Sequence, residues 1–209
     1  MEGERRSAVG IVHAFVQNQG DAWTVTSAYL DRFVEQERLL SGNDHPAETE
    51  DQLSYMRHMA QIGRRLAEMH VALASSDDQP DFKPGAVTSD EVSTWVDDVV
   101  SSATRTIDRL QNFRAKEQDR SLIDRLITQR NDIRNKVSGL LSPSSAYLKI
   151  RHHGDFHLGQ MLIVKDDIFI IDFEGEPRRS LHERRRKAPA ARDVAGLIRS
   201  IDYSTTAAL

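Results

Sequence analysis

The 209-residue chain contains no cysteine, which removes disulfides and thiolate metal sites from the possible chemistries. Aromatic residues make up only 6% of it, and they do not interleave with its basic residues as a stacking platform for single-stranded nucleic acid requires. Positive charge is not in excess either: 28 Lys and Arg stand against 32 Asp and Glu, a formal charge of −4. A general nucleic-acid binder normally carries a basic surplus. No apolar run approaches the roughly 18 residues of a membrane span. Residues 1–6 precede no apolar stretch of the kind a secretory signal needs, so the expected compartment is the cytoplasm and neither a membrane nor a nucleic acid is an expected partner. No internal repeat is visible. What is present, 39% hydrophobic and 29% charged residues, suits one globular domain with a charged surface.

Most of the chain reads as helix. Residues 9–16 are short and apolar and predict a strand or extended segment, ended by a turn at Asn18-Gln19-Gly20-Asp21. Ser27 is a candidate cap for a helix to Leu40, and 41–50 reads as a loop. From Gln52 the residues Leu53, Met56, Met59, Ile62, Leu66, Met69 and Leu73 recur every three or four positions and predict a helix whose methionines fill a core. A polar loop over 75–89 precedes a second long helix, capped by Ser89 or Asp90 and carrying Trp95 and Phe113. A third, over 122–140, is expected to end before Pro143. Trp23 and Trp95 are expected to anchor the core or an interface.

The end of the chain is of another kind. A strand is expected over 147–151. Residues 161–164 and 168–173 form two apolar runs around Lys165-Asp166-Asp167, a hairpin signal, and Pro189 opens a last helix. Around the hairpin lies His152-His153-Gly154-Asp155-Phe156-His157-Leu158-Gly159-Gln160, followed by Ile171-Asp172-Phe173-Glu174-Gly175-Glu176. Three chemistries compete for it. A phosphate-cradling loop fits Gly154 and Gly159 but requires Lys and Ser or Thr next, where this chain has Gln160 and Met161. A Zn-dependent hydrolase would use the alternating His153, Asp155 and His157 on one face of a strand, an arrangement the flanking glycines oppose. A phosphotransferase needs an Asp to take the acceptor's proton, an amide a few residues later for Mg²⁺, and a second Asp beyond a hairpin for Mg²⁺ on the β- and γ-phosphates. Asp155, Gln160 and Asp172 occur in that order.

The strings His-Gly-Asp-Phe-His-Leu-Gly-Gln and Ile-Ile-Asp-Phe-Glu-Gly-Glu-Pro resemble the maltokinases, which belong to the aminoglycoside-phosphotransferase-like branch of the protein-kinase fold and are often fused to trehalose synthase. Phe15-Val16-Gln17-Asn18-Gln19-Gly20-Asp21-Ala22-Trp23, Glu183-Arg184-Arg185-Arg186-Lys187 and Arg192-Asp193-Val194-Ala195-Gly196 agree with it. The resemblance implies an α+β fold, the mainly helical C-lobe of a kinase, with a small hairpin bearing the metal site. Residues 1–24 would be the interlobe hinge and entry loop, and 25–209 the lobe, with catalytic loop and hairpin at 147–176. Asp155 would be the catalytic base, Gln160 and Asp172 the Mg²⁺ ligands, and the backbone of Ala14, Phe15 and Val16 the adenine contact. His153, His157, Glu174, Glu176, Arg185, Lys187 and Asp193 are candidates for substrate contact or support. The implied reaction is transfer of the ATP γ-phosphate to the anomeric hydroxyl of maltose, on a route from trehalose to α-glucan. The family's N-lobe and C-terminal end have no counterpart in this sequence, so little turnover is expected of the chain by itself.

Other expectations remain beside these. Another sugar or an aminoglycoside is an alternative acceptor, and a non-catalytic lobe docked on trehalose synthase an alternative role. Association into a homodimer is plausible because a lobe surface is bared. His152, His153 and His157 read equally as packed structural histidines. Glu174, Glu176 and the basic run Arg178, Arg179, Arg184, Arg185, Arg186, Lys187 and Arg192 read either as substrate or phosphate contacts or as ion pairs holding a loop.

Overall fold

The computed structural model describes residues 10–40, 49–75, 78–140 and 147–209. The expected loop over 41–50 and the stop before Pro143 fall largely outside them. Helix α1 (Ala22–Leu39) begins earlier than Ser27, because Asp21 Oδ1 accepts from the Thr24 backbone N–H at 2.7 Å. The preceding turn is as expected: Asn18 Oδ1 accepts from the Gly20 N–H, and Gly20 takes φ 114°, open to glycine without strain. Residues 10–17 form no strand and lie mostly exposed.

Helix α2 (Glu50–Leu73) is closed by a reciprocal Thr49–Gln52 capping box and buries Ile62, Leu66, Met69 and His70. Helix α3 (Ser89–Gln111) is capped by Thr88, not Ser89 or Asp90, through an equivalent box with Glu91. The third predicted helix is broken: α4 (Glu117–Thr128), a 3-10 turn (Gln129–Asp132) and α5 (Ile133–Leu140). α4 buries none of its residues.

Two small antiparallel sheets complete the lobe. β1 (Gly85–Ala86), inside the predicted polar loop, pairs with β2 (Leu148–Lys149). The hairpin is β3 (Met161–Val164) and β4 (Asp167–Ile170), with Val164 opposite Asp167. Lys165, at φ 56°, turns the chain between them. Met161 and Ile163 point into the core, as period-two alternation demands. They meet Leu158, Ile168, Ile62, Leu66 and Ala22 there. Burying Leu158 or Met161 completely contributes about 2–3 kcal/mol each. Arg65 of α2 clamps the hairpin by gripping Asp167 with two nitrogens (2.7 and 2.6 Å), while Gln61 donates to the same carboxylate. Those bonds hold the Asp167 carboxyl well below the usual carboxylate range.

A one-turn helix α6 (Leu181–Arg184) leads to α7 (Ala191–Ala208), which packs on α1. Trp23 lies 5.8 Å from Tyr203 at that contact. Among the described residues no helix is long and apolar enough to cross a membrane.

Candidate active site

The loop over 152–160 is held from below by one buried carboxylate. Asp193, 1% exposed, accepts from the backbone N–H of His153 (Oδ2, 2.9 Å), the backbone N–H of Gly154 (Oδ1, 2.9 Å) and the Nε2–H of His70 (Oδ2, 2.9 Å). Burial by itself would raise the Asp193 carboxyl, but the His70 bond and the two backbone donors outweigh it and keep the group below its ordinary value. Two more α7 residues bear on the loop one and two turns on. Ser200 Oγ accepts from the Leu158 N–H at 3.2 Å. At Gly196 a Cβ would stand 2.5 Å from the Phe156 carbonyl oxygen, so glycine is what lets the helix come this close.

Within the loop, His153 Nδ1 accepts from the Asp155 N–H (3.3 Å) and Nε2 donates to the Ile171 carbonyl (2.9 Å), which fixes the neutral tautomer. That second bond draws the strand leaving the hairpin back beside the loop. Gly154 (φ 88°) and Gly175 (φ 75°) meet where the two segments touch. The apolar run expected to continue through Phe173 leaves the hairpin after Ile171: the Ile171 N–H still reaches the Gln160 carbonyl in the hairpin's register, and Asp172 then adopts φ 60°. A left-handed backbone at a non-glycine residue costs about 1–3 kcal/mol and is found disproportionately at functional positions.

The fold brings Gln160 and Asp172 together: Gln160 Nε2 donates to Asp172 Oδ2 at 3.2 Å. Among the described residues Gln160 Oε1 and Asp172 Oδ1 make no hydrogen bond, and as hard oxygen donors they are of the kind that could hold Mg²⁺ together with phosphate oxygens and water. The Asp155 carboxylate makes no hydrogen bond among the described residues. It is half-buried and opens on a neighbouring cleft of about 430 Å³. Asp155 and His157 line that cleft from the loop, Arg192, Arg199 and Tyr203 from α7, and Glu176 closes one side.

The other expected site residues fall as follows. His157 Nδ1 accepts from the Gly159 N–H (3.1 Å) and so caps a 3-10 turn. With both His153 nitrogens and that His157 nitrogen engaged, the Zn-hydrolase arrangement does not form. Among the described residues no group of three His, Cys, Asp or Glu side chains converges as a metal cluster. Lys187 donates to the Pro80 and Lys83 carbonyls, stapling a remote turn, and does not line the cleft. Arg185 and Glu174 are exposed and also lie outside its lining. Glu176 Oε1 accepts from the Arg178 N–H, and among the described residues neither glutamate forms an ion pair with an arginine. Phe15 is 90% exposed, Ala14 exposed and Val16 half-buried.

Sequence reading passed over His70, Gly196, Ser200, Arg199 and Tyr203. The available signal was the 193–196–200 spacing, which puts a carboxylate, a hydrogen and a hydroxyl on one helix face. His70 gave another, a polar residue at a core-facing position one turn after Leu66.

His152 is buried, its Nδ1 has no hydrogen-bond partner, and its pKa is pushed down to about 4, first by burial. The unfolded chain takes up the proton near 6.5, the folded chain only near 4. Stability is therefore unaffected by this group above about pH 6.5 and falls as the pH drops towards 4, by up to about 3 kcal/mol. Thermal unfolding followed from pH 7 to 4.5 is expected to show this loss, and His152→Gln to flatten it. An equal slope in both proteins would remove His152 as the cause.

The architecture is a mainly helical α+β lobe with its 152–160 loop braced by the last helix. It is shared with glucosamine kinase: a solved structure of that enzyme "in complex with glucosamine, ADP and inorganic phosphate" matches 90% of this chain at a TM-score of 0.66 and 24% identity, the chain covering 41% of it. Among curated proteins, the glucosamine kinase of Streptacidiphilus jiangxiensis is 28% identical over 147 residues, 69% of this chain and 30% of the relative. That of Mycolicibacterium smegmatis is 27% identical over 142 residues, 68% and 32%. The chain is thus similar to glucosamine kinases and spans about a third of the length of these two curated relatives. No family model matches it. The relatives found are sugar kinases, as expected, but they are named for glucosamine and not for maltose.

Proposed function

We propose that these residues form the catalytic lobe of a sugar phosphotransferase that moves the γ-phosphate of ATP onto a hydroxyl of a glucosamine-type sugar. The observation that carries the reading is the half-buried Asp155 carboxylate at the cleft, without a hydrogen-bond partner among the described residues, on the same loop that brings Gln160 onto Asp172. Asp155 orients the acceptor hydroxyl and takes its proton as the oxygen attacks phosphorus. Gln160 Oε1 and Asp172 Oδ1 would hold Mg²⁺, which neutralises charge on the nucleotide phosphates. The neutral His153 keeps the loop and the hairpin exit in register and holds no transferred proton. Glu176, Arg192 and Arg199 offer hydrogen bonds to sugar hydroxyls, and the Asp155 and Glu176 carboxylates favour an ammonium substituent.

The test is ADP release from ATP by the complete polypeptide in which these 209 residues occur, with glucosamine, maltose, glucose and an aminoglycoside as acceptors. Glucosamine is expected to give the highest kcat/KM. Maltose in first place would restore the acceptor that the sequence resemblance implies. No acceptor raising ADP release above the rate with water would end the kinase reading. The 209-residue chain assayed alone is expected to show little turnover.

A further inference from the structure

The basic run that the reaction leaves unused lines a second cavity, of about 530 Å³, between α3 and the turn that follows Asp172. Arg105 and Arg109, one turn apart on α3, share it with Arg178 and Arg179 of the turn. None of the four guanidiniums has a hydrogen-bond or ion-pair partner among the described residues. On α3, Asp108 pairs with Arg130 (2.9 Å) and Asp97 with Arg134 (2.8 Å), which leaves Asp98 as the α3 carboxylate in the cavity. On the turn, Glu183 Oε2 caps Ser180, and after those bonds the Arg179 charge helps hold the Glu183 carboxyl below its ordinary value.

The turn is built to hold its two arginines in place. Arg184 donates from Nε to the Arg179 carbonyl (2.9 Å) and from Nη2 to the Pro177 carbonyl (2.8 Å). The Arg179 N–H reaches the Glu176 carbonyl at 3.0 Å. Positive potential gathers on this side of the lobe: after burial, the charges of Arg179 and Arg186 help press the Arg192 guanidinium below its ordinary value. Unpaired guanidiniums converging from two elements of fixed geometry are a site for an oxyanion, because Arg binds phosphate through two parallel N–H bonds.

Every side chain lining the cavity is polar. Ser102 and Thr106 lie on the α3 side, and three carboxylates, Asp98, Glu176 and Glu183, interrupt the arginines. This mixture opposes a lipid tail or an apolar helix, which need apolar area. The carboxylates oppose an extended polyanion, which needs an unbroken basic stripe. Hydroxyls and carboxylates beside arginines suit a compact ligand with one phosphate and several hydroxyl groups. Glu176 lines both this cavity and the Asp155 cleft, so an occupant of one borders the other.

We propose that the cavity between α3 and the 176–183 turn is a second ligand site, binding a sugar phosphomonoester through Arg105, Arg109, Arg178 and Arg179. The proposal rests on the kinase reading only in the choice of sugar as the phosphate's carrier.

The experiment is calorimetric titration of the 209-residue chain in low-salt buffer with glucose 6-phosphate, glucose and inorganic phosphate. Saturable binding of the phosphomonoester, weaker binding of phosphate and none of glucose is the expected pattern. The double variant Arg105→Ala/Arg109→Ala is expected to weaken it about tenfold or more. Arg105→Lys/Arg109→Lys keeps the charge and removes the two-pronged geometry, and is expected to weaken it too. It serves as the test if the alanine pair is misfolded by circular dichroism. Three results overturn the proposal: no binding of the phosphomonoester, affinity for phosphate alone equal to it, or binding lost in Arg199→Ala but kept in both double variants, which puts the anion in the Asp155 cleft. Turnover is not read, so failure here and failure of the acceptor assay are separate outcomes.

Discussion

Asp155→Asn is expected to lower kcat by about 10²- to 10⁴-fold in the complete polypeptide, the usual worth of a positioned general base. That is about 3–5 kcal/mol of barrier. The substitution keeps the size of the side chain and its reach into the cleft, and removes the capacity to accept a proton. Because the Asp155 carboxylate has no hydrogen-bond or ion-pair partner among the described residues, stability is expected to change by no more than about 0.5 kcal/mol. The KM for ATP is expected to hold, since Asp155 faces the acceptor cleft and makes no hydrogen bond to the Gln160–Asp172 pair. Steady-state kinetics together with a melting curve separate the possibilities. An unchanged kcat removes Asp155 from the role of base, whereas a large drop in melting temperature would make it a structural residue.

How far the sequence could be read depended on whether the signal was local. The 152–160 loop and the hairpin were legible as local structure because the residues that shape them lie within about 20 positions of one another, and because the alternation of Met161 and Ile163 and the turn at Lys165 are local physics. The α2 pattern was legible for the same reason, down to Met69 in the core, although Met56 on the same predicted stripe is 57% exposed. Helix starts were misplaced where the cap lay upstream of the apolar period: Asp21 and Thr88 sit before any periodic residue and start their helices through a side-chain oxygen. The break of the third helix at 129–132 leaves no mark in hydrophobic spacing, since α4 buries nothing that would fix its phase. The sheet partner of β2 was hidden because Gly85 and Ala86 are too few to alternate. At the site, Asp193 was singled out with no reason attached. Its reason is long-range, with donors at 153 and 154 and a third at 70, and sequence separations of 39 to 123 leave no periodic trace.

Asp193→Ala is the substitution with the largest expected effect on the fold itself. It strands two buried backbone N–H groups and the His70 ring nitrogen at once, and removing one side of such a buried charged network costs about 3–5 kcal/mol. Against a total stability of about 5–15 kcal/mol, that is enough to leave the loop open in much of the population. Asp193→Asn is not expected to rescue it. The carboxylate accepts on both oxygens, Oδ1 from Gly154 and Oδ2 from His153 and His70. An amide has one acceptor, and its NH₂ would then face a donor. His70→Ala removes one of the three donors and leaves both backbone bonds, so its cost is expected nearer about 1–3 kcal/mol. The sign with pH follows from the depressed Asp193 pKa: its contribution is complete above its unfolded value of about 3.9 and is lost as the pH falls through its lower folded value. The acid loss assigned to His152 begins at higher pH and remains distinguishable. Denaturant unfolding at pH 7, with hydrogen exchange at the His153 and Gly154 amides, tests the arrangement. If those amides stay protected and Asp193→Ala costs less than about 1 kcal/mol, the loop is held by something other than this carboxylate, and Asp155 is not positioned from α7.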